Sequence, residues 1–231
     1  MKQLQKTNEK VSFVTEMNIS LANAIRRSVN EIQIVAIDEV DIYKNDSALY
    51  DQIIAHRIGL IPIKNSGRKK EMQFKLQAEG SEQKKEVLAK EMGEDVVYGD
   101  MPIVYLEKGQ ELEIVARTRM GMGKEHAKFI PGLMYYRILS KIEISKDGEK
   151  QSELAELYPK NFEFNGKLKL KNEYDCDLDQ EDVKEFKGIT ITPTENLVFC
   201  IESWGQINAS EIFTEAIEAL NNNLKELSKA L

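Results

Sequence analysis

The chain has 231 residues, which is enough to bury a substantial core and to form one to three small domains. Its formal net charge of −7 argues against a solitary DNA-binding protein, because such proteins neutralise phosphates with a basic surface. No apolar run approaches the roughly 18 residues of a membrane span, and the polar start is not typical of a signal peptide. We therefore expect a cytoplasmic protein whose two cysteines, Cys176 and Cys200, are reduced thiols.

The first regular element is predicted to be an amphipathic helix over residues 20–32, because four apolar residues recur at helical spacing: Leu21, Ile25, Val29 and Ile32. Asn18 or Ser20 is expected to cap this helix. The alternation of side chains over residues 32–42 then predicts strand. A second helix is predicted to start at residue 46 or 47 and to end at Gly59.

The middle of the chain is predicted to be rich in strands, over residues 101–106, 111–118 and 141–144. A loop over residues 119–131 lies between the last two, and its glycines, Gly121 and Gly123, are expected to permit a tight turn. The basic cluster Arg68, Lys69 and Lys70 is expected to be a solvated loop.

Residues 162–170 predict a hairpin that turns at Gly166, and an acidic segment follows it. Asp175, Asp177 and Asp179 alternate there, so their carboxylates are a candidate Mg²⁺ or Ca²⁺ site. A solvated acidic turn explains the same pattern, because the glycine and glutamate that an EF-hand requires are missing.

The end of the chain predicts a strand over residues 197–201 and then a long helix over residues 208–231. Asn208 and Glu211 have the spacing of a capping box. Six apolar residues along the helix are spaced as a heptad seam: Phe213, Ile217, Leu220, Leu224, Leu227 and Leu231. Such a seam either lies on the chain's own sheet or packs against a helix of another chain.

No catalytic site is predicted. The two histidines, His56 and His126, are far apart in sequence and lack the partners that nucleophilic or metal catalysis requires. Arg26 and Arg27 are either solvated helix charges or partners of carboxylates on another chain, since arginine offers a planar, bidentate fork.

Three separated blocks of sequence resemble the assembly subunits of multisubunit RNA polymerases: residues 23–27 (NAIRR), 36–40 (AIDEV) and 55–62 (AHRIGLIP). This family includes the archaeal D-type subunits, the third-largest subunit of the eukaryotic nuclear enzymes and the amino-terminal region of the bacterial alpha subunit. The resemblance implies an α+β fold. It also implies a discontinuous dimerisation domain over residues 1–43 and 194–231, a mostly β insert domain over residues 44–155, and a small module over residues 156–193.

The same resemblance implies partners. A small subunit, called L in archaea, is expected to form a heterodimer with this chain through the first and last helices, at Leu21, Ile25, Arg26, Arg27, Val29, Phe213, Ile217, Leu220, Leu224 and Leu227. Docking onto the two large catalytic subunits is expected at four further residues: His56, Arg57, Lys124 and His126. No direct contact with DNA is expected.

The small module departs from its relatives. Some archaeal members of the family carry a ferredoxin-like insert with four cysteines at fixed spacing. Here that spacing falls on Cys176, Asp179, Asp182 and Phe186, so only one thiolate remains. We expect no iron–sulfur cluster and no other cofactor, and a degenerate module whose aromatic residues fill the vacated space: Phe162, Phe164, Tyr174 and Phe186.

The sequence thus predicts a non-catalytic scaffold subunit of a DNA-directed RNA polymerase. Two alternatives remain open at this point. One is a divalent-metal enzyme that uses Asp175, Asp177 and Asp179, and the other is a stand-alone homodimer formed through the terminal seam.

Overall fold

The computed structural model describes residues 2–65 and 72–230. The predicted basic cluster Arg68, Lys69 and Lys70 and the seam residue Leu231 lie outside the described residues. The strands are β1 (Lys2–Lys6), β2 (Lys10–Glu16), β3 (Gln33–Asn45), β4 (Gln73–Glu79), β5 (Lys85–Leu88), β6 (Pro102–Leu106), β7 (Glu111–Met122), β8 (Gly132–Ile144), β9 (Phe162–Phe164), β10 (Leu168–Leu170) and β11 (Ile189–Ser203). The α-helices are α1 (Ile19–Ser28), α2 (Asp51–Gly59), α3 (Ser152–Leu157) and α4 (Ala209–Ala230).

The predicted α+β class is confirmed. The chain forms two compact units, and each is built from separated segments. The first unit comprises residues 1–6, 11–22 and 134–200, and the second comprises residues 7–10, 23–133 and 201–231. None of the helices in the described part of the chain has both the length and the apolar character that crossing a membrane requires.

Aromatic packing forms the centre of the first unit. Its four-stranded sheet has the order β1-β2-β11-β8. The rings of Phe13 and Phe199 stack with their centroids 5.5 Å apart, and Tyr136 packs on the same Phe199 ring at 5.5 Å. Phe199 is fully buried, as expected for the predicted terminal strand, which forms part of β11.

A second core in the same unit lies beneath the predicted hairpin, which β9 and β10 form around Gly166 with its positive φ of 77°. Its buried members are Leu154, Phe162, Leu168, Val183, Ile189 and Ile191. Phe186 packs against this core, so two of the four aromatic residues expected to fill it do so. Phe164 is 39% exposed, and the Tyr174 hydroxyl instead accepts a hydrogen bond from Lys2, so the prediction was wrong for these two.

Arg137 on β8 fastens the acidic segment to the sheet. Its guanidinium donates to the carbonyl oxygen of Cys176 at 2.6 Å and also to that of Tyr174. Arginine suits this role because its planar group presents several donors at once. Arg137 therefore holds the backbone of this segment. The side chain of Cys176 is buried, with the residue only 2% exposed.

The second unit is organised around the antiparallel sheet β3-β7-β4. The pairing of β3 with β7 shifts by one residue between Ile37 and Glu39, which leaves Asp38 at a β-bulge. Before the bulge, Ile34 to Ile37 are all buried, and after it the exposure pattern changes. A bulge redirects the side chain at its centre. The sequence alternation predicted strand here, but it did not predict this bulge.

The helix boundaries differ from the predictions. Asn18 caps α1 as predicted, since its Oδ1 accepts from the Ser20 amide at 2.8 Å. The helix ends at Ser28, however, and a 3₁₀ turn covers residues 29–31. Helix α2 begins only at Asp51, because the Asn45 side chain binds Ser47 and the Leu49 carbonyl in a turn that competes with helix.

The prediction of a tight turn at the two glycines is confirmed for Gly123, where the Glu125 amide donates to the Met122 carbonyl at 2.8 Å, but it is wrong for Gly121. Gly121 lies within β7, and a Cβ there would be 2.6 Å from the ring of the fully buried Phe129. Gly123 follows the strand, and a Cβ on it would be 2.7 Å from the Ile130 side chain. The glycines are therefore required mainly for close packing under the loop, and neither has a positive φ.

We expect Arg137→Met to loosen the acidic segment. The substitution retains apolar length but removes hydrogen bonds from a charged donor to two carbonyl oxygens, for a loss of about 2 kcal/mol. Amide hydrogen exchange over residues 172–178 should accelerate, and the Cys176 thiol should become reactive towards Ellman's reagent. The matched control is Lys141→Met on the same strand, where the lysine side chain is 68% exposed. Equal thiol reactivity in both variants would contradict the fastening role.

We expect Gly121→Ala to lower the free energy of unfolding by about 1–3 kcal/mol, because the added methyl group displaces a buried aromatic ring. Chemical denaturation of the purified chain measures this loss. Gly59→Ala is the control, since a Cβ there meets nothing within 4 Å among the described residues. A loss at position 121 no larger than at position 59 would show that the Phe129 ring adjusts freely.

Candidate docking surface

Helix α4 is buried only along part of its length. Ala209, Ile212 and Ala216 are fully covered by the chain, and the helix packs against the 3₁₀ turn at residues 29–31. Phe213, Ile217 and Leu220 are half-buried. Leu224 and Leu227 are 54% and 57% exposed. All the other residues from 221 to 230 are exposed as well. The seam predicted from the heptad spacing thus becomes progressively more exposed toward the end of the helix.

The start of α4 differs in detail from a capping box. The amides of Glu211 and Ile212 bind the backbone oxygen of Asn208, whereas its side-chain amide donates to the Glu211 carboxylate at 2.9 Å. The two predicted capping side chains therefore bind each other. The helix nevertheless begins where the sequence indicated, one residue after Asn208.

Helix α1 carries the other predicted interface residues. Leu21 is 47% exposed, whereas Ile25 and Val29 are 4% and 3% exposed and belong to the core. We therefore correct the assignment of Ile25 and Val29, because their side chains are covered by the chain itself. Arg26 and Arg27 are both exposed. The Arg26 guanidinium uses its Nε and one Nη to bind Asn23 Oδ1, at 3.1 and 3.0 Å, which leaves its remaining donors for another chain.

His56 and His126, although 70 residues apart, line the same surface depression of about 180 Å³. His56 reaches it from α2, and His126 reaches it from the loop after β7. Both side chains are exposed. Spacing along the sequence gave no indication that the two histidines meet.

The other two predicted docking residues have partners elsewhere. The Arg57 guanidinium donates to the Pro102 carbonyl at 2.6 Å, and Lys124 forms a 2.5 Å ion pair with Glu31. The hydrogen bond from Lys124 is the main reason why the pKa of Glu31 lies below its usual range. These two residues therefore do not line the depression that holds the histidines.

Asp38 also lines this depression and is the centre of an ion-pair network. Its carboxylate accepts from Lys128 Nζ at 2.8 Å and from Arg119 Nε at 2.8 Å. Both hydrogen bonds hold the pKa of Asp38 below its usual range, and the bond from Lys128 contributes most. Arg119 also binds Glu125 at 2.8 Å, which lowers the pKa of that carboxyl in turn.

The network fixes the loop at residues 123–131, which is shorter than the predicted loop over residues 119–131 because β7 extends to Met122, against β3. Lys128 also donates to the Ile37 carbonyl at 2.8 Å, and its own side chain is only 14% exposed. Phe129 lies beneath, with its ring centroid 4.8 Å from the Arg119 guanidinium. The loop is thus anchored by charged hydrogen bonds, a cation–π contact and a buried ring.

An apolar groove of about 360 Å³ adjoins the depression and shares Gly59, Leu60 and Lys128 with it. Three large side chains in the groove are exposed: Leu60 at 46%, Tyr98 at 46% and Trp204 at 43%. None of these three residues was predicted from the sequence to be part of a docking surface. The one tryptophan of the chain was the available signal, since a half-exposed tryptophan frequently marks an interface.

The acidic residues offered for metal binding have other partners. Asp175 accepts from Asn172, Asp177 accepts from Asn161, and Asp179 Oδ1 accepts from the amides of Glu181 and Asp182. The hydrogen bond from Asn161 keeps the pKa of Asp177 below its usual range. Across residues 2–65 and 72–230, no group of three or more histidine, cysteine or acidic side chains is arranged to hold a metal ion.

The four degenerate cluster positions also differ from one another. Cys176 is buried, and Phe186 packs against the hydrophobic core. Asp179 and Asp182 are exposed, and the carboxylate of each accepts a hydrogen bond from the backbone amide of the other. A carboxylate engaged with backbone amides stabilises a turn. The local structure at these positions is therefore held by hydrogen bonds and packing.

Comparison with known proteins identifies the family. The profile of the RNA polymerase Rpb3/Rpb11 dimerisation domain matches residues 13–224, which include all three sequence blocks. The chain is 33% identical to DNA-directed RNA polymerase subunit Rpo3 of Pyrococcus horikoshii, over 95% of this chain and 93% of that protein. It is 31% identical to the Rpo3 subunit of Archaeoglobus fulgidus, over 99% and 96%. It is 29% identical to DNA-directed RNA polymerases I and III subunit rpac1 of Dictyostelium discoideum, over 93% and 76%.

The similarity covers nearly the whole chain, and the expected resemblance is confirmed. The chain belongs to the family of the RNA polymerase Rpb3/Rpb11 dimerisation domain.

Proposed function

We propose that this protein is a non-catalytic assembly subunit of a DNA-directed RNA polymerase and acts in transcription. Membership of this family supports the assignment of the chain to an RNA polymerase. The observation that carries the assembly role is the exposed end of α4, where Leu224 and Leu227 extend a regular seam into solvent. An amphipathic helix gains stability when its apolar stripe is covered.

The seam partner is a small subunit of the L type, which forms a heterodimer with this chain. Each exposed leucine retains a little over half of its surface, and covering it contributes about 1 kcal/mol. Leu21 on α1 offers further apolar surface, and Arg26 and Arg27 offer charged hydrogen bonds. Ile25 and Val29 support α1 from within the core.

The surface formed by the His56–His126 depression and the apolar groove is the site that docks onto the two large catalytic subunits. Exposed Leu60, Tyr98 and Trp204 supply the apolar centre of such a contact. Charged and histidine side chains surround it, which is the usual composition of a protein interface. Asp38 and its partners keep the surface preformed.

Four further expectations form part of this proposal. The protein acts in the cytoplasm, holds no iron–sulfur cluster or other cofactor, and makes no direct contact with DNA. The dimerisation domain comprises residues 1–43 and 194–231, the insert domain comprises residues 44–155, and a degenerate ferredoxin-like module comprises residues 156–193. The single cysteine among the four cluster positions supports the absence of a cluster.

We expect Leu224→Asp combined with Leu227→Asp to abolish heterodimer formation, because two carboxylates would have to be buried in the seam. Both residues are exposed, so the isolated chain should remain folded. Asn221→Asp combined with Asn222→Asp adds the same charge to the same helix away from the seam and should bind normally. Co-expression with the small subunit, followed by size-exclusion chromatography with light scattering, measures complex formation.

Two results of that experiment would contradict the seam assignment. One is retained heterodimer in the seam variant. The other is a stable homodimer of the native chain that excludes the small subunit, which would favour a stand-alone interaction protein.

We expect Leu60→Asp to leave the heterodimer intact but to weaken its association with the large subunits about tenfold. The reason is that the introduced carboxylate would lose its water at the centre of an apolar contact. The control is Leu157→Asp, at a residue that is 59% exposed in α3. Reconstitution of the polymerase from purified subunits, analysed by native gel electrophoresis, measures the association. Normal assembly with Leu60→Asp would exclude this surface from large-subunit docking.

A further inference from the structure

Few contacts attach the second half of α4 to the rest of the chain. All residues from 221 to 230 are exposed, whereas the first half of the helix contributes buried residues to the core. Among the residues that the structure describes, one side chain of this second half forms a hydrogen bond or ion pair with another segment. It is Asn223, whose amide group donates to a carboxylate oxygen of Glu31 in the 3₁₀ turn at residues 29–31. We call this contact the Asn223–Glu31 link.

The acceptor of the Asn223–Glu31 link is itself held in place. Lys124 Nζ lies 2.5 Å from Glu31 Oε1, and the Glu31 side chain is only 18% exposed. The hydrogen bond from Lys124 is the main reason why the pKa of Glu31 lies below its usual range, and the bond from Asn223 adds to it. Glu31 is therefore a carboxylate at neutral pH, and a charged acceptor forms a stronger hydrogen bond than a neutral one. The link thus joins α4 to a fixed, charged group.

Beyond the link, little within this chain stabilises the helix. Residues 224–230 form about two turns, whereas an isolated helix in water is marginal below roughly 12–15 residues. Lys225 and Lys229 lie four residues apart and repel each other, and Glu226 offsets part of this repulsion. The two exposed leucines of the seam keep more than half of their surface in water, so they contribute little packing energy.

We propose that residues 224–230 exchange between helix and coil in the free chain, and that the seam partner fixes them as helix when it covers Leu224 and Leu227. The Asn223–Glu31 link marks the boundary between the two parts of α4. Before the link, the helix is held by the core of its own chain. After it, the helix depends on the other chain. This proposal deepens the assembly role proposed above and rests on it.

Such an exchange makes helix propensity a determinant of affinity. A partner that binds only the helical form loses affinity in proportion to the fraction of free chains in which the segment is coil. A substitution that disfavours helix therefore weakens binding even where the side chain does not touch the partner. Lys225 is suited to this test, because at 100° per residue it lies about 120° around the helix axis from the centre of the seam.

The first measurement is amide hydrogen exchange, read by mass spectrometry, of the full chain with and without the purified small subunit. In the free chain we expect the amides of residues 225–230 to exchange about tenfold faster than those of residues 213–220, because local opening there costs little. Binding of the small subunit should slow the exchange of residues 225–230 by about tenfold. Strong protection of both halves of α4 in the free chain would overturn the proposal.

The second measurement compares Lys225→Gly with Lys225→Ala. Both substitutions remove the same charge and the same long side chain, but glycine disfavours helix relative to alanine by about a fivefold change in an equilibrium constant. We expect Lys225→Gly to bind the small subunit about fivefold more weakly than Lys225→Ala in isothermal titration calorimetry. Equal affinities would contradict the exchange, since a segment that is already helical in the free chain carries the same cost before and after binding.

The third measurement tests the boundary with Asn223→Ala. This substitution removes the link but raises helix propensity, and the control Asn222→Ala raises helix propensity equally while the link is retained. We expect only Asn223→Ala to accelerate the amide exchange of residues 217–222 in the free chain. Equal exchange in the two variants would refute the role of the link.

The free chain is measured without a partner, so the two failures are distinguishable. A native chain that forms no heterodimer refutes the proposed function. Uniform protection along α4 in a free chain that does form the heterodimer refutes only the exchange proposed here.

Discussion

The ion pairs of Asp38 connect the segments that form the candidate docking surface. Asp38 lies at a bulge of β3, Arg119 lies on β7, and Lys128 lies in the following loop. The strands bring the first two together, and the loop closes over them because Lys128 can reach both the Asp38 carboxylate and the Ile37 carbonyl. Two cations beside a carboxylate favour its charged form, and the pKa of Asp38 accordingly lies below its usual range.

The glycine at position 121 makes this arrangement possible. Without a Cβ there, the Phe129 ring packs directly against β7 beneath the Arg119 guanidinium. The ring and the ion pairs hold the same loop, so each restricts the movements that would break the other. This preformed geometry matters for an assembly surface, because a partner then binds without first ordering the loop.

Helix α4 combines two kinds of surface in one element. Its first half is covered on one side by the chain, while its second half carries exposed leucines. A lone helix of this composition would gain little from folding in isolation, because helices in water depend on tertiary packing. Its regular structure beyond residue 220 is suited to a partner that covers the seam.

The fastening of the acidic segment illustrates a different solution. Where relatives are expected to use several thiolates, this chain has Cys176, two aspartates and a phenylalanine. Backbone carbonyls held by Arg137, a carboxylate turn at Asp179 and a small apolar core hold the segment. These interactions are weaker individually than metal–thiolate bonds, and together they hold the segment in place.

Local sequence patterns were enough to predict the family, the α+β class, the terminal strand and helix, the hairpin at Gly166 and the cap at Asn18. Each of these depends on local periodicity, on turn chemistry or on contiguous motifs, which can be read along the chain. They did not reveal the bulge at Asp38, the meeting of His56 with His126, or the burial of Ile25 and Val29. These features arise where segments far apart in sequence come together, so they can be seen only in the folded chain.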